Sequence, residues 1–429
     1  MWLRLAAVAA LLLAPWPAAT AQVGRAPGSA PVLTLDAAFE RVAGAHPDLR
    51  LFGPRGDVLR AELDRALQHP PYRLGGDVEN VAGTGQAAGA RFAEATFTLA
   101  SVFERGGKLD ARRALAQSRI DALGVQRETV RLDLLAETAR RYLAMAAARR
   151  QGDIAGLDIA QRTRTVVRAR ERLQAGASPE SVVLTAQAQL AKAELERARA
   201  GQAYVAARQS LAALWGERAP VFEVAGADPL ALPRIEDAAT LARLLEDTPE
   251  LQAFAGEQRI REARLQLARS ESSADVSWSA GVRRYRDGND VGLVAGLSIP
   301  LGQAARAQPG IRAAEAEIAA LGIEREAKGI SLYSTLAEAH GQYSVAALEV
   351  ARLRDEVIPR FNRAEAAAER AYAAGAASYM EWALLQSERT NARRQQLEAA
   401  LAAQRALIEI QRLTGQPFVA AAPTPEPNP

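Results

Sequence analysis

The chain has no cysteine among its 429 residues. No disulfide, thiolate nucleophile or thiolate metal site is open to it, and no acylated cysteine can fasten its N-terminus to lipid. Histidine occurs three times, at His46, His69 and His340, far apart and with no ligand pattern beside any of them. A metal centre needs several convergent donors, so neither a metal nor another cofactor is expected. His340 reads as a helix-face residue and His69, ahead of Pro70 and Pro71, as a loop residue entering a strand. Charge of one sign is also missing. Lys and Arg total 53 against 50 Asp and Glu, a balance that argues against nucleic acid as a partner. The glycine-rich GTGQAAG from Gly83 is not followed by the Lys–Ser/Thr of a phosphate-binding loop and reads as a surface loop. With no nucleophile motif either, enzymatic chemistry has no residues to stand on.

Long apolar runs are confined to the first residues. MWLRLAAVAALLLAPWPAATAQ has one early cation, Arg4, an apolar stretch, and small residues at Ala19–Thr20–Ala21. That is the pattern of a secretory signal over residues 1–21, cleaved to leave Gln22 first. A membrane anchor would need about 20 unbroken apolar residues, and Pro15 and Pro17 interrupt the run. Beyond it charges recur every few residues, so any membrane span must be β.

What is present is a repeat. Setting Gly176 against Gly375, an offset of 199, aligns LQAGASPESV from Leu173 with AYAAGAASYMEW from Ala371, and Leu214–Trp215–Gly216 with Leu413–Thr414–Gly415. Near the starts, LTLDAAFERVAGAHPDLR and DAATLARLLEDTPELQ correspond, with Pro47–Asp48–Leu49 matching Pro249–Glu250–Leu251. Two copies of one unit thus cover residues 22–229 and 230–415, ahead of a proline-rich tail, 416–429, expected to be disordered.

Each copy has the same order. A first helix leads into period-two segments: YRLGGDVEN and AEATFTLASVF in a hairpin over 72–103, ADVSWSAGVRR and VGLVAGLSIPL in a hairpin over 274–301. One face is apolar and the other small or polar, and a strand length of about 9 to 11 residues suits a tilted bilayer crossing. Four strands cannot close a barrel alone, and the same pattern also fits a half-buried soluble sheet.

Helical hairpins follow over 107–216 and 308–415. Gly107 to Gln174 contains no proline and, as one helix, would run about 100 Å. Leu132, Leu135, Ala139, Tyr142 and Ala146 mark a coiled-coil seam. Pro359 is expected to kink the second long helix. Gly176 and Gly375 read as helix ends of positive φ, and Ser178 and Ser378 as N-caps of the returning helices.

LTLDAAFERVAGAHPDLR, EATFTLASVFERGGKLDARRALA from Glu94 to Ala114, LSIPL from Leu297 and the two turn segments together resemble the TolC-type outer-membrane efflux proteins, most closely the CzcC branch of heavy-metal efflux systems. The resemblance spans essentially the whole mature chain, and Gly106–Gly107–Lys108 is its most specific stretch. It implies a mainly α fold with a β membrane part, in which long helical hairpins form a periplasmic tunnel. It also implies a homotrimer whose subunits each give four strands to one 12-stranded barrel in outer-membrane lipid. The implied function is a passive exit duct, for heavy-metal cations, in a tripartite system with a periplasmic adaptor and an inner-membrane RND-type transporter. A duct for drugs or type I secreted proteins, and a periplasmic coiled-coil scaffold without a pore, are the alternatives.

The resemblance further implies that Leu173, Gly176, Ala177 and Ser178, with Tyr372, Gly375, Ala376 and Ser378, form the adaptor-docking surface. Charged residues just inside the turns, Arg170, Glu171, Arg172, Glu369, Arg370 and Glu381, are gate candidates, with opposite charges on adjacent helices latching the mouth. The turns lack the aspartates that some members place at the constriction.

Overall fold

A computed structural model describes residues 31–85, 88–225 and 228–418; the expected signal segment, 1–21, and most of the tail lie outside these. Four antiparallel strands form one sheet: β2 (Arg73–Glu79), β3 (Glu94–Phe103), β5 (Val276–Tyr285) and β6 (Val291–Ser298), in the order β2-β3-β5-β6. The register decides which side each residue takes. Leu74, Leu99, Ala280 and Ala295 lie in one row, and Gly76, Phe97, Val282 and Leu293 in the row two residues along. These rows share an apolar face on which Leu74, Phe97, Leu293 and Leu297 remain largely exposed. On the other face Asp77, Thr96, Arg283 and Gly292 share a row.

The polar face carries close cross-strand contacts at its glycines. Gly75, Gly281 and Gly296 lie on it, and a methyl group at each would run into the Thr98 side chain, the Phe97 backbone or the Ser279 hydroxyl across the ladder. Such close approach between strands is what glycine tolerates. Near the loops that join the strands, Arg283 spans three strands on this face: it donates to Thr96 Oγ1 (2.9 Å) and Glu94 Oε2 (2.8 Å) and pairs with Glu79 (3.1 Å). β2 and β6 have 7 and 8 residues, short of the expected length. They are the outer strands, and each has a ladder on one side only.

Each sheet half is entered from short helices. Thr34 caps α1 (Leu35–Ala45) by accepting from the Ala37 N–H, and α2 (Pro47–Arg50) and α3 (Phe52–Ala66) continue it. In the second repeat Asp237 caps α6 (Ala238–Leu244), and α7 (Pro249–Ser270) follows. Proline opens α2 and α7 at corresponding points, where its missing N–H costs nothing.

After the first strand pair comes α4 (Lys108–Gln174), 67 residues without a break, or about 100 Å. Its start explains the Gly106–Gly107–Lys108 stretch. Gly106 has φ 77°, and a side chain there would strike Ser273 and the Ser270 carbonyl. Lys108 then reaches across to Asp275 (2.7 Å) and the Ser273 carbonyl (2.9 Å), tying the first repeat to the second where strands become helices.

The return helix is α5 (Glu180–Ala212). In the second repeat α8 (Gln303–Arg352) begins at Gln303 rather than near 308, because left-handed Gly302 starts it and Pro309 is accommodated within its first turns. The expected bend at Pro359 takes a specific form. Residues Leu353–Val357 widen into a π turn before α9 (Ile358–Ala373), with the Ile358 N–H reaching back to Leu353. Proline has no N–H for the carbonyl four residues back and its ring crowds that carbonyl, so the helix loosens just upstream. α10 (Tyr379–Thr414) returns.

The core lies where the short helices meet the long ones. Val42, Tyr142, Met145, Leu211 and Phe222 pack in the first repeat, and Leu241, Leu336, Tyr343, Ile410 and Leu413 in the second. Of the expected seam, Ala139, Tyr142 and Ala146 are buried, whereas Leu132 and Leu135 are half-buried. Two tyrosines play matching parts: Tyr142 donates to the Leu33 carbonyl (3.1 Å), and Tyr343 to the Pro233 carbonyl. Burial pushes the Tyr142 hydroxyl up to about 12. A two-stranded parallel sheet, β1 (Val32–Leu33) with β4 (Glu223–Val224), holds the described N-terminus here. The tail is not free from its first residue, since Phe418 packs against Phe39 with ring centroids 5.7 Å apart.

Candidate functional site

The far ends of the helical hairpins carry the two repeated turns, and both close in the same way. At the first, Gly176 has φ 68°, Ala177 N–H reaches the Arg172 carbonyl (2.9 Å) and Gly176 N–H the Leu173 carbonyl (3.0 Å). At the second, Gly375 has φ 81°, with Ala376 N–H on Ala371 (2.8 Å) and Gly375 N–H on Tyr372 (3.1 Å). This pair of bonds needs a left-handed residue just past the helix, which is why glycine recurs there.

The caps of the return helices differ. Ser378 accepts from the Glu381 N–H (3.2 Å), as expected. Ser178 is not a cap: Pro179 holds that position and gives α5 no side-chain hydrogen bond. At the offset of 199, Pro179 is the counterpart of Ser378, and Ser178 falls opposite Ala377.

Of the residues expected on the docking surface, Gly176, Ala177, Gly375, Ala376 and Ser378 are exposed, and Leu173 and Ser178 are half-buried. Tyr372 is 3% exposed and lies beneath the turn. Its ring packs on Trp382 (centroids 5.2 Å) and Tyr379 (6.5 Å), in a cluster with Val166, Ala169 and Val183. It supports the surface from below and is no part of it.

Among the gate candidates, Arg170, Glu171, Arg370 and Glu381 are exposed, and Arg172 and Glu369 half-buried. Glu171 pairs with Arg168 on its own helix (3.0 Å). Among the described residues none of the six pairs with an opposite charge on another helix of the same chain. Arg172 bonds to backbone instead, donating to the Tyr372 carbonyl (2.5 Å) and the Ala177 carbonyl (3.4 Å).

Above the turns lies a buried polar network that is not among the candidate residues of the sequence. Glu365 accepts from Gln161 (2.8 Å), Trp382 Nε1 (2.9 Å) and Arg389 (3.1 Å). Asp158 holds Arg162 through both carboxylate oxygens (3.1 Å each) and accepts from Thr390 (3.1 Å). Gln386 donates to Thr165 (2.8 Å). Burial, with Arg389 and Arg150 close by, holds the Arg393 guanidinium below its usual value. The network joins α4 to α9 and α10. A signal was present: Asp158, Gln161, Arg162 and Thr165, and likewise Gln386, Arg389, Thr390 and Arg393, follow the spacing of one helix face.

The chain is 29% identical over 360 residues to the cobalt-zinc-cadmium resistance protein CzcC of Cupriavidus metallidurans, spanning 83% of this chain and 84% of that protein. It is 26% identical over 291 residues to the nickel-cobalt-cadmium resistance protein NccC of Alcaligenes xylosoxydans xylosoxydans, spanning 68% and 62% of the two. In fold it superposes on CusC, whose crystal structures concern the conformational changes accompanying folding and transmembrane channel formation, with a TM-score of 0.76, 17% identity, and coverage of 89% of this chain and 91% of that one. The outer membrane efflux protein family matches over residues 61–217 and 240–416. Each match takes in a strand pair, a long hairpin and its glycine turn, so the chain belongs to the outer membrane efflux protein family.

Proposed function

We propose that three copies of the chain close a 12-stranded barrel in the outer membrane and that their hairpins form a tunnel serving as the exit duct of a tripartite efflux system. The observation that carries this is the sheet: apolar and exposed on one face, polar on the other, and with β2 and β6 each paired on one side only. An open edge is not stable in lipid, and β6 of one copy beside β2 of the next keeps the antiparallel alternation. Kinship with CzcC and NccC supports heavy-metal cations as cargo, driven by an inner-membrane RND-type transporter through a periplasmic adaptor.

The adaptor docks, on this reading, at the exposed small residues Gly176, Ala177, Gly375 and Ala376, with Leu173, Ser178 and Ser378 around them. Among the described residues nothing beyond the chain neighbours lies within 4 Å of a Cβ built on Gly176, and only the end of Arg172 lies that close at Gly375, so a bulky residue at either left-handed position strains the turn and adds a side chain to the exposed surface. Gly375→Trp is expected to abolish export, measured as cadmium accumulation in cells, while the complex stays assembled; export at the unaltered rate would remove the docking assignment. The charges Arg170, Glu171, Glu369, Arg370 and Glu381 then latch the mouth between subunits, since they do not pair across helices within one. Exposed pairs contribute about 0 to 1 kcal/mol each, so docking can open them. Neutralising Arg370 and Glu171 together should raise single-channel conductance, and no change would exclude the latch.

A further inference from the structure

We propose that Arg172 is the clamp that fixes the two turns of one chain in a single relative position. It sits in the last turn of α4, in the first repeat, yet its strongest contacts are in the second. One nitrogen donates to the Tyr372 carbonyl at the C-terminal end of α9 (2.5 Å), the guanidinium carbon stands 4.8 Å from the centroid of the Tyr372 ring, and another nitrogen donates back to the Ala177 carbonyl beyond its own turn (3.4 Å). A guanidinium alone among side chains can stack on a ring and serve two acceptors in different directions.

The placement is also electrostatically apt. α4 and α9 both end here, each with the partial negative charge of a helix C-terminus, and although the Tyr372 carbonyl already accepts from the Gly375 N–H it has a second lone pair that the Arg172 cation takes up. The arrangement is one-sided: at the offset of 199 the counterpart of Arg172 is Ala371, and the neighbouring Arg370 is exposed, so the contact is not returned from the second turn. Tyr372, in turn, is held from behind by Trp382 and Tyr379. The clamp therefore closes on a fixed ring.

Its functional consequence rests on the docking assignment above. Two turns held as one body present Gly176–Ala177 and Gly375–Ala376 to a partner as a single preorganised surface, whereas two independent turns must be ordered on binding. Arg172 thereby becomes a positioning residue, acting through the turns and not by pairing with a partner's charge.

Absence of cysteine makes the test clean. Spin labels at Ala177→Cys and Ala376→Cys report the distance between turns by double electron–electron resonance, in full-length complexes where labelled chains are diluted with unlabelled ones. Labels at Val167→Cys and Leu184→Cys, both exposed, report the distance within the first hairpin. With Arg172 present both distributions are narrow. In Arg172→Ala the distance between turns broadens and that within the hairpin does not, and Arg172→Lys, which keeps the charge but not the planar fork, broadens it as well. An unchanged distribution between turns overturns the clamp, and so does broadening of both pairs, which would make Arg172 a residue of local folding. Titration with the purified adaptor separates this from the docking assignment. Loss of affinity of about tenfold in Arg172→Ala is expected from lost preorganisation, and broadened turns with unaltered affinity would keep the clamp and remove docking.

Discussion

Ala295→Pro leaves no assembled channel in the outer membrane. The Tyr285 N–H donates to Asp290 across the β5–β6 hairpin, and the ladder pairs Gly281 with Val294 and Ala280 with Ala295. Alternation along an antiparallel ladder then points the N–H groups of Gly292, Val294 and Gly296 toward β5, and those of Leu293, Ala295 and Leu297 away from it. Proline at 295 therefore removes no hydrogen bond that a single chain makes. On a true edge strand such a proline is tolerated. Where β2 of a neighbouring subunit pairs with β6, the same proline removes a ladder bond in lipid, at each of three seams, where an unmatched carbonyl costs several kcal/mol. Heat-modifiable migration of outer-membrane extracts reads the outcome. Wild-type amounts of assembled complex would mean that β6 is a free edge.

The second large effect is at Glu365. Its carboxylate is 6% exposed and collects donors from Gln161, Trp382 and Arg389. Glu365→Ala leaves the Arg389 charge buried without its carboxylate, together with two stranded neutral donors; breaking a buried pair from one side costs about 3–5 kcal/mol. Because the network lies near the ends of the hairpins, far from the sheet, the loss falls on local stability there. Hydrogen exchange should accelerate in α9 and the first half of α10, export should fail, and the assembled barrel should persist. Glu365→Gln keeps an acceptor for Trp382 and Gln161 and should be milder. Equal exchange in the alanine variant and the unaltered protein would mean that the network does not hold the tips.

Much of this architecture was legible because it rests on strong local patterns. The period of two around Trp278, the proline-free run from Lys108 to Gln174, and the glycines at 176 and 375 each have one favoured backbone outcome. The repeat then fixed their order. What escaped depended on neighbours. β1 and β4 are two residues each, too short to show a period. Tyr372 was placed on the surface because its position in the repeat is that of Leu173, but a ring there fills the space between α4 and α10, and burial followed size. The alignment set the turn glycines in register and left the caps one residue apart, so Ser178 was credited with the role of Pro179. Asp158 and Glu365 stand out from the other charges of the alanine-rich helices only through the approach of α4 to α9 and α10, which shows them buried and paired. Which residues share a face across strands is set by the register, which places Leu74 with Leu99 and the crowded glycines on the opposite side.

The central claim is that one chain is a third of a pore, and the mass of the complex tests it most directly. Outer-membrane fractions solubilised in mild detergent, with the bound detergent subtracted, should give a particle three times the mass of one chain, which is 45.8 kDa at full length. A particle of one chain, or a protein recovered from the periplasm without detergent, would contradict it.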